Sequence, residues 1–253
     1  MKKTFLSLVL AFLPFICFSQ AITEYPKTND KNIYILKNDS YTVGFDDIYG
    51  LPVWSMYRYT PIMKMGVSNV DEEWVTDTRI KRNKTTAKEF DSLNLYKTQM
   101  FPREHAMTYA ETQKTTYITS NILPMTKSLK EGIWDRITKE IEQTAEQVGA
   151  VYIYSGPIFE KDFTKNNYLL SNRVVQPKYF YRLYIYFKDG KPFQKCYRFE
   201  NHAPTDYEKK CDLNDFSYNL YELENDTNLD FFDQQIDASF RKEKMEYLEK
   251  RVN

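Results

Sequence analysis

Residues 128–149 read SLKEGIWDRITKEIEQTAEQVG, and the spacing of their apolar positions decides the fold class. Leu129, Ile133, Trp134, Ile137, Ile141, Ala145 and Val148 recur every three or four residues, the period of a helix with one buried face. Ser128 and Glu131 form an S-x-x-E capping pattern at its start, and Gly149 stands where the helix should end. The opposite face carries Lys130, Asp135, Lys139, Glu142 and Glu146, a pattern that reads as a solvated surface.

Working outward from this helix, the chain turns to strands. Residues 41–60, YTVGFDDIYGLPVWSMYRYT, predict two strands about a turn near Asp46-Asp47 and Tyr49-Gly50, forming a paired edge of a sheet. TTYITSNI (115–122), AVYIYSGPIF (150–159) and YFYRLYIYFKDG (179–190) are three further strand candidates, the last closing on a Lys-Asp-Gly-Lys turn. A charged final helix is expected from about Asp237 to Lys250. Strands on both sides of one long helix make an α+β domain with a central antiparallel sheet.

The ends of the chain add a compartment. MKKTFLSLVLAFLPFICFSQ opens with two lysines, continues with an apolar run to about Phe18, and offers small residues for cleavage before Gln20. That is the form of a secretory signal over residues 1–19, too short for a bilayer span. The expected product is one domain over residues 20–253, secreted to an extracellular or periplasmic space, with no membrane segment. Loss of Lys2 and Lys3 would leave 33 basic against 35 acidic side chains, a net charge of −2, so any nucleic-acid binding needs a local patch or a metal. Cys196 and Cys211 are the cysteines that remain after cleavage, and an oxidising compartment predicts a disulfide between them. Such a loop would contribute about 3 kcal/mol by chain entropy.

One of two histidines lies in FPREHAM, residues 101–107. The order Arg103-x-His105, then Ser120-Asn121-Ile122-Leu123-Pro124-Met125, then Leu129-Lys130-Glu131-Gly132-Ile133-Trp134, resembles the DNA/RNA non-specific endonucleases of the ββα-metal (His-Me finger) type. Their motifs are Asp-Arg-Gly-His, Ser/Thr-Asn-x-x-Pro-Gln and Leu-Asn-x-Gly-x-Trp-x-x-Leu-Glu. Val151 to Phe159, with its Ser-Gly-Pro, is similar to a strand of those nucleases. Asn121 to Met125, residues 155–159 and Thr227 to Phe231 also look like the nuclease-like domain of ecto-nucleotide pyrophosphatase/phosphodiesterases, which has lost its catalytic residues. Together the two resemblances cover about residues 41–232.

The resemblance implies hydrolysis of phosphodiester bonds in DNA or RNA. His105 would deprotonate water, Arg103 would contact phosphate, Asn121 would belong to the site, and Mg2+ or Mn2+ would stabilise charge. A neutral imidazole near pH 7 suits the first role. Lys130, Arg79 in the run Arg79 to Lys84, and Arg136 are candidate phosphate contacts; that run reads equally well as a solvated loop.

The departures from the motif open a second reading. The metal-holding asparagine is Lys130, whose ammonium has no lone pair to ligate magnesium. The helix glutamate is Thr138, the motif aspartate is Pro102 and the glycine is Glu104. Glu104 or Glu131 could supply a displaced oxygen ligand. A catalytically inactive nuclease-like module that binds nucleic acid, a nucleotide or a protein is therefore the alternative. The identity of any metal ligand stays open.

Overall fold

The strands alternate apolar side chains between two faces, so a sheet built from them must be covered on both sides. In the computed structural model, which describes residues 22, 25–82, 84–91, 95–159, 175–232 and 240, that is the arrangement. Six strands, β1 (Ile33–Lys37), β2 (Thr42–Asp46), β3 (Leu51–Tyr59), β6 (Val151–Ile158), β7 (Tyr179–Lys188) and β8 (Lys191–Glu200), pair antiparallel in the order β1-β2-β3-β6-β7-β8. A separate two-stranded ribbon joins β4 (Tyr96–Gln99) to β5 (Ile122–Met125). The β2–β3 hairpin is close to the expected one, with β1 added outside it. Gly44 faces Trp54 across that hairpin, where a Cβ would come within 2.1 Å of the indole nitrogen, so the backbone can lie against the ring only as glycine. The Asp189-Gly190 turn has positive φ at both residues, 52° and 73°, the geometry a two-residue hairpin requires between β7 and β8.

One face of the sheet meets the long helix. Leu129, Ile133, Trp134, Ile137, Ile141 and Ala145 are buried there against Tyr57 and Tyr59 of β3, Ile153 of β6, and Phe180 and Tyr184 of β7. Each large apolar side chain in that layer contributes about 1.5–3 kcal/mol by leaving water. The other face is covered by Ile22, Leu223, Leu229, Phe231, Phe232 and Phe240. No helix among the described residues is long and apolar enough to cross a membrane.

Several expectations are corrected. The helix is capped by Thr126, whose hydroxyl accepts from the Leu129 amide, rather than by Ser128 and Glu131. It begins at Lys127, widens into a π turn over Lys130–Trp134, and runs as α-helix over Asp135–Val148 until Gly149 at φ 87°. Residues 115–122 are not a strand. Two 3-10 turns occupy Thr115–Tyr117 and Thr119–Asn121, and extended chain starts only at Ile122.

Cys196 and Cys211 are both buried free thiols, so the expected disulfide is not formed. Strand alternation gives the reason: Cys196 packs on the sheet face away from the helix, whereas the Cys211 carbonyl accepts from Arg136 of the helix itself. Burial pushes the Cys196 thiol far up from its ordinary value of 9.0. The expected leader, residues 1–19, and most of the expected final helix lie outside the described residues.

Candidate nucleic-acid cleft

Pro102 starts a 3-10 turn, Arg103–His105, that drives the His105 ring into the space between β3 and the long helix, where none of it is exposed. Asn121 holds the approach to that turn. Its side-chain oxygen accepts from the Phe101 amide at 2.9 Å, and its NH2 donates to the carbonyls of Phe101 and Thr116, each at 2.9 Å. Asn121 is fully buried and does not line the cleft; its bonds hold the chain that leads into the His105 turn.

Three side chains pack on His105, and a fourth holds one of them. Its ring stacks on Tyr59 with centroids 4.0 Å apart. Nδ1 lies 3.1 Å from the Tyr57 hydroxyl, and Nε2 lies 3.0 Å from Glu142 Oε1. Lys64, in the turn that follows β3, donates to Glu142 Oε2 at 2.8 Å.

The chemistry of these partners fixes the ring's proton. An ionised carboxylate only accepts, so Nε2 must carry the hydrogen, and Nδ1 then takes the Tyr57 O–H. Burial pulls the His105 pKa below its ordinary 6.5, against the smaller upward pull of Glu142, so the ring is neutral at pH 7. Burial opposes ionisation of Glu142, but hydrogen bonds from His105 and Lys64 outweigh it and bring its pKa to about 2. The result is a relay of donors, Tyr57 to His105 to Glu142, with Lys64 closing the far end. Neither imidazole nitrogen offers a lone pair to the cleft.

Glu142 separates the buried ring from a cleft of about 500 Å3. Arg103, Lys130, Lys64, Lys97 and Lys139 supply five cations to its wall, and Glu72, Glu104, Asp135 and Glu142 supply four anions. Arg103 donates to the Asn69 side chain, and Lys130 donates to Asp135 Oδ1 at 2.9 Å. Arg103 and Lys130 therefore stand at the cleft, as the resemblance implies.

The other two candidate phosphate contacts do not reach it. Arg79 forms a fork on Asp77 and donates to the Lys37 carbonyl and Asn38, where it ties residues 77–79 to the end of β1. Arg136 donates to the carbonyls of Glu208 and Cys211 and clamps that loop onto the helix. Both guanidinium groups are engaged within the fold and neither lines the cleft.

One buried cation was missed by sequence reasoning. Arg182, at the middle of β7, is fully buried 4.2 Å over the Trp134 ring, and its Nη1 donates to Thr138 Oγ1 at 2.5 Å. Thr138 in turn donates to the Trp134 carbonyl at 2.9 Å. The signal was an arginine inside YFYRLYIYF, a charge in the centre of an apolar strand that needs a partner wherever it is buried. Tyr57, Glu142 and Lys64 were also missed.

These donors do not fit a magnesium ion of the kind the resemblance implies. At the asparagine's position stands an ammonium ion-paired to Asp135, and Thr138 is bonded to Arg182 and Trp134. Both oxygens of Glu142 are already engaged by His105 and Lys64. Glu131 pairs with Lys127 outside the cleft wall, and Glu104 is at the wall with no second or third carboxylate close enough to form a ligand set among the described residues.

A large antiparallel sheet backed by one long helix, with the histidine carried on the segment between the β4–β5 ribbon strands, is the α+β fold of the ββα-metal nucleases. The comparison by structure agrees: a chain of a solved EndoG/EndoGI complex, from work on the mechanism of EndoG inhibition, superposes with a TM-score of 0.68 at 16% identity, over 79% of this chain and 86% of that one. The chain belongs to the DNA/RNA non-specific endonuclease family, whose model matches residues 19–238. No curated protein matches it by sequence.

Proposed function

We propose that the cleft takes the phosphodiester backbone of DNA or RNA, and that in the arrangement described it binds without cutting. The observation that carries this reading is the saturated state of His105, with Nδ1 on Tyr57 and Nε2 on Glu142. A general base must present a lone pair to the water it deprotonates. Here water in the cleft meets Glu142 first, and a carboxylate with a pKa of about 2 is a weak proton acceptor. Lys130 places fixed positive charge where a phosphate is to be held, without Lewis-acid chemistry. The leader at residues 1–19 supports export, so the nucleic acid met would be extracellular or periplasmic.

Hydrolysis is the second reading, and one observation favours it. The Glu142 side chain is 16% exposed at the edge of the cleft, so its release from His105 would open Nε2 to the cleft, a base once the ring proton moves to Nδ1. The experiment is to incubate the purified protein with plasmid DNA and with RNA, in magnesium, manganese or EDTA, and to read cleavage and binding together. Binding by the wild type with no cleavage above a His105→Ala control supports the binding reading. Metal-dependent cleavage that His105→Ala abolishes and Glu142→Ala raises would replace it with a gated nuclease, and absence of binding would remove both.

A further inference from the structure

We propose that the cleft selects nucleic acid with unpaired bases, using Trp74 and Tyr96 as stacking platforms; this rests on the nucleic-acid reading above. Five cations against four anions leave the cleft wall almost neutral, so phosphate attraction alone is a weak handle. What the wall has in addition is two aromatic rings, Tyr96 exposed and Trp74 partly buried, each with an ammonium over one face. Tyr96 on β4 is 42% exposed, with Lys130 Nζ 6.0 Å from its ring centre. Trp74 is half-buried, set edge-on to Tyr117 at 5.2 Å, with Lys97 Nζ 5.0 Å from its ring; Lys97 also pairs with Asp91. Each ring thus carries an ammonium over one face, and a base would stack on the other.

A ring of this kind binds the flat face of a base, and a duplex keeps those faces stacked on each other. Single strands and splayed loops present them freely. The cleft is therefore built for base stacking assisted by phosphate contact, with a shallower dependence on salt than a site made of cations alone.

The protein contains its own reporter. Of its three tryptophans, Trp54 and Trp134 are 1% and 2% exposed, and Trp134 also lines the cleft, so the part of the quenching that Trp74→Phe removes reports Trp74. The wild type is titrated with a fluorescently labelled single-stranded oligonucleotide, with the same sequence as a duplex, and with inorganic pyrophosphate as a charge-only probe. The expected result is quenching by the single strand, affinity at least about tenfold above the duplex, and loss of about tenfold in Trp74→Ala with recovery in Trp74→Phe. Tyr96→Ser, at an exposed position, should weaken the single strand and spare pyrophosphate. Equal binding of strand and duplex, or an unchanged affinity in both variants, would overturn the stacking inference while leaving nucleic-acid binding intact. Failure of both oligonucleotides to bind would overturn the underlying reading with it.

Discussion

Trp134→Ala is expected to lose about 4 kcal/mol of folding stability. The indole is 2% exposed beneath the sheet, meets Phe199 edge-on at 5.9 Å, and carries the buried Arg182 guanidinium on its face. Removing it opens a cavity and also strips the stacking partner from a charge that has left water, so the two costs act together. Against a total stability of about 5–15 kcal/mol, that is a large fraction. Urea denaturation followed by circular dichroism checks it, through a lower midpoint at unchanged slope. A loss under about 1.5 kcal/mol would mean that the cavity refills and that Arg182 finds another partner.

Asn121→Ala comes next, at about 3 kcal/mol. Three hydrogen bonds disappear; the Phe101 amide and carbonyl lose their side-chain partner, while the Thr116 carbonyl keeps its bond from Gln99. Asn121→Asp separates the two halves of the role. It keeps an acceptor for the Phe101 amide but sets a carboxylate against two carbonyls, so it should be at least as destabilising as alanine. Because the bonded stretch leads directly into the Arg103–His105 turn, both variants should also disturb the His105 environment. Denaturation of the two proteins beside the wild type measures the first effect, and the histidine resonances report the second.

How far the sequence could be read varies with the kind of side chain that decides each element. The β2–β3 hairpin, β6, β7 and the long helix were legible because their apolar positions follow a clean period. β1 was not, since as an edge strand it buries little beyond Leu36, and β8 alternates lysine with half-buried residues in its first half. TTYITSNI has the β-branched content of a strand, yet the Thr116 and Asn121 side chains bond to nearby backbone and fold it into turns. The π turn at Lys130–Trp134 leaves no mark in the periodicity.

The placement of Arg103 and Lys130 at the cleft, with His105 behind Glu142, followed the motif order. Their state did not. Glu142 reads as one charge among several on a solvated helix face, and only the path of β3 brings Tyr57, Tyr59 and Lys64 around the ring it contacts. Arg79 and Arg136 lie away from the cleft, and the sequence does not show whether a basic residue will be engaged by backbone carbonyls or left free for a phosphate.

The central claim is that His105 is held neutral, with its proton on Nε2 and its lone pair on Tyr57. The most direct test is nitrogen-detected NMR of the two imidazole rings in 15N-labelled protein, with a His202→Gln variant for assignment. Between about pH 5 and 8 an unperturbed histidine titrates. At pH 7 the expected His105 ring has a protonated Nε2 and an unprotonated Nδ1, and it gains a second proton only below its ordinary 6.5. A His105 ring that averages between tautomers, or gains a second proton with a midpoint at or above 6.5, would contradict it.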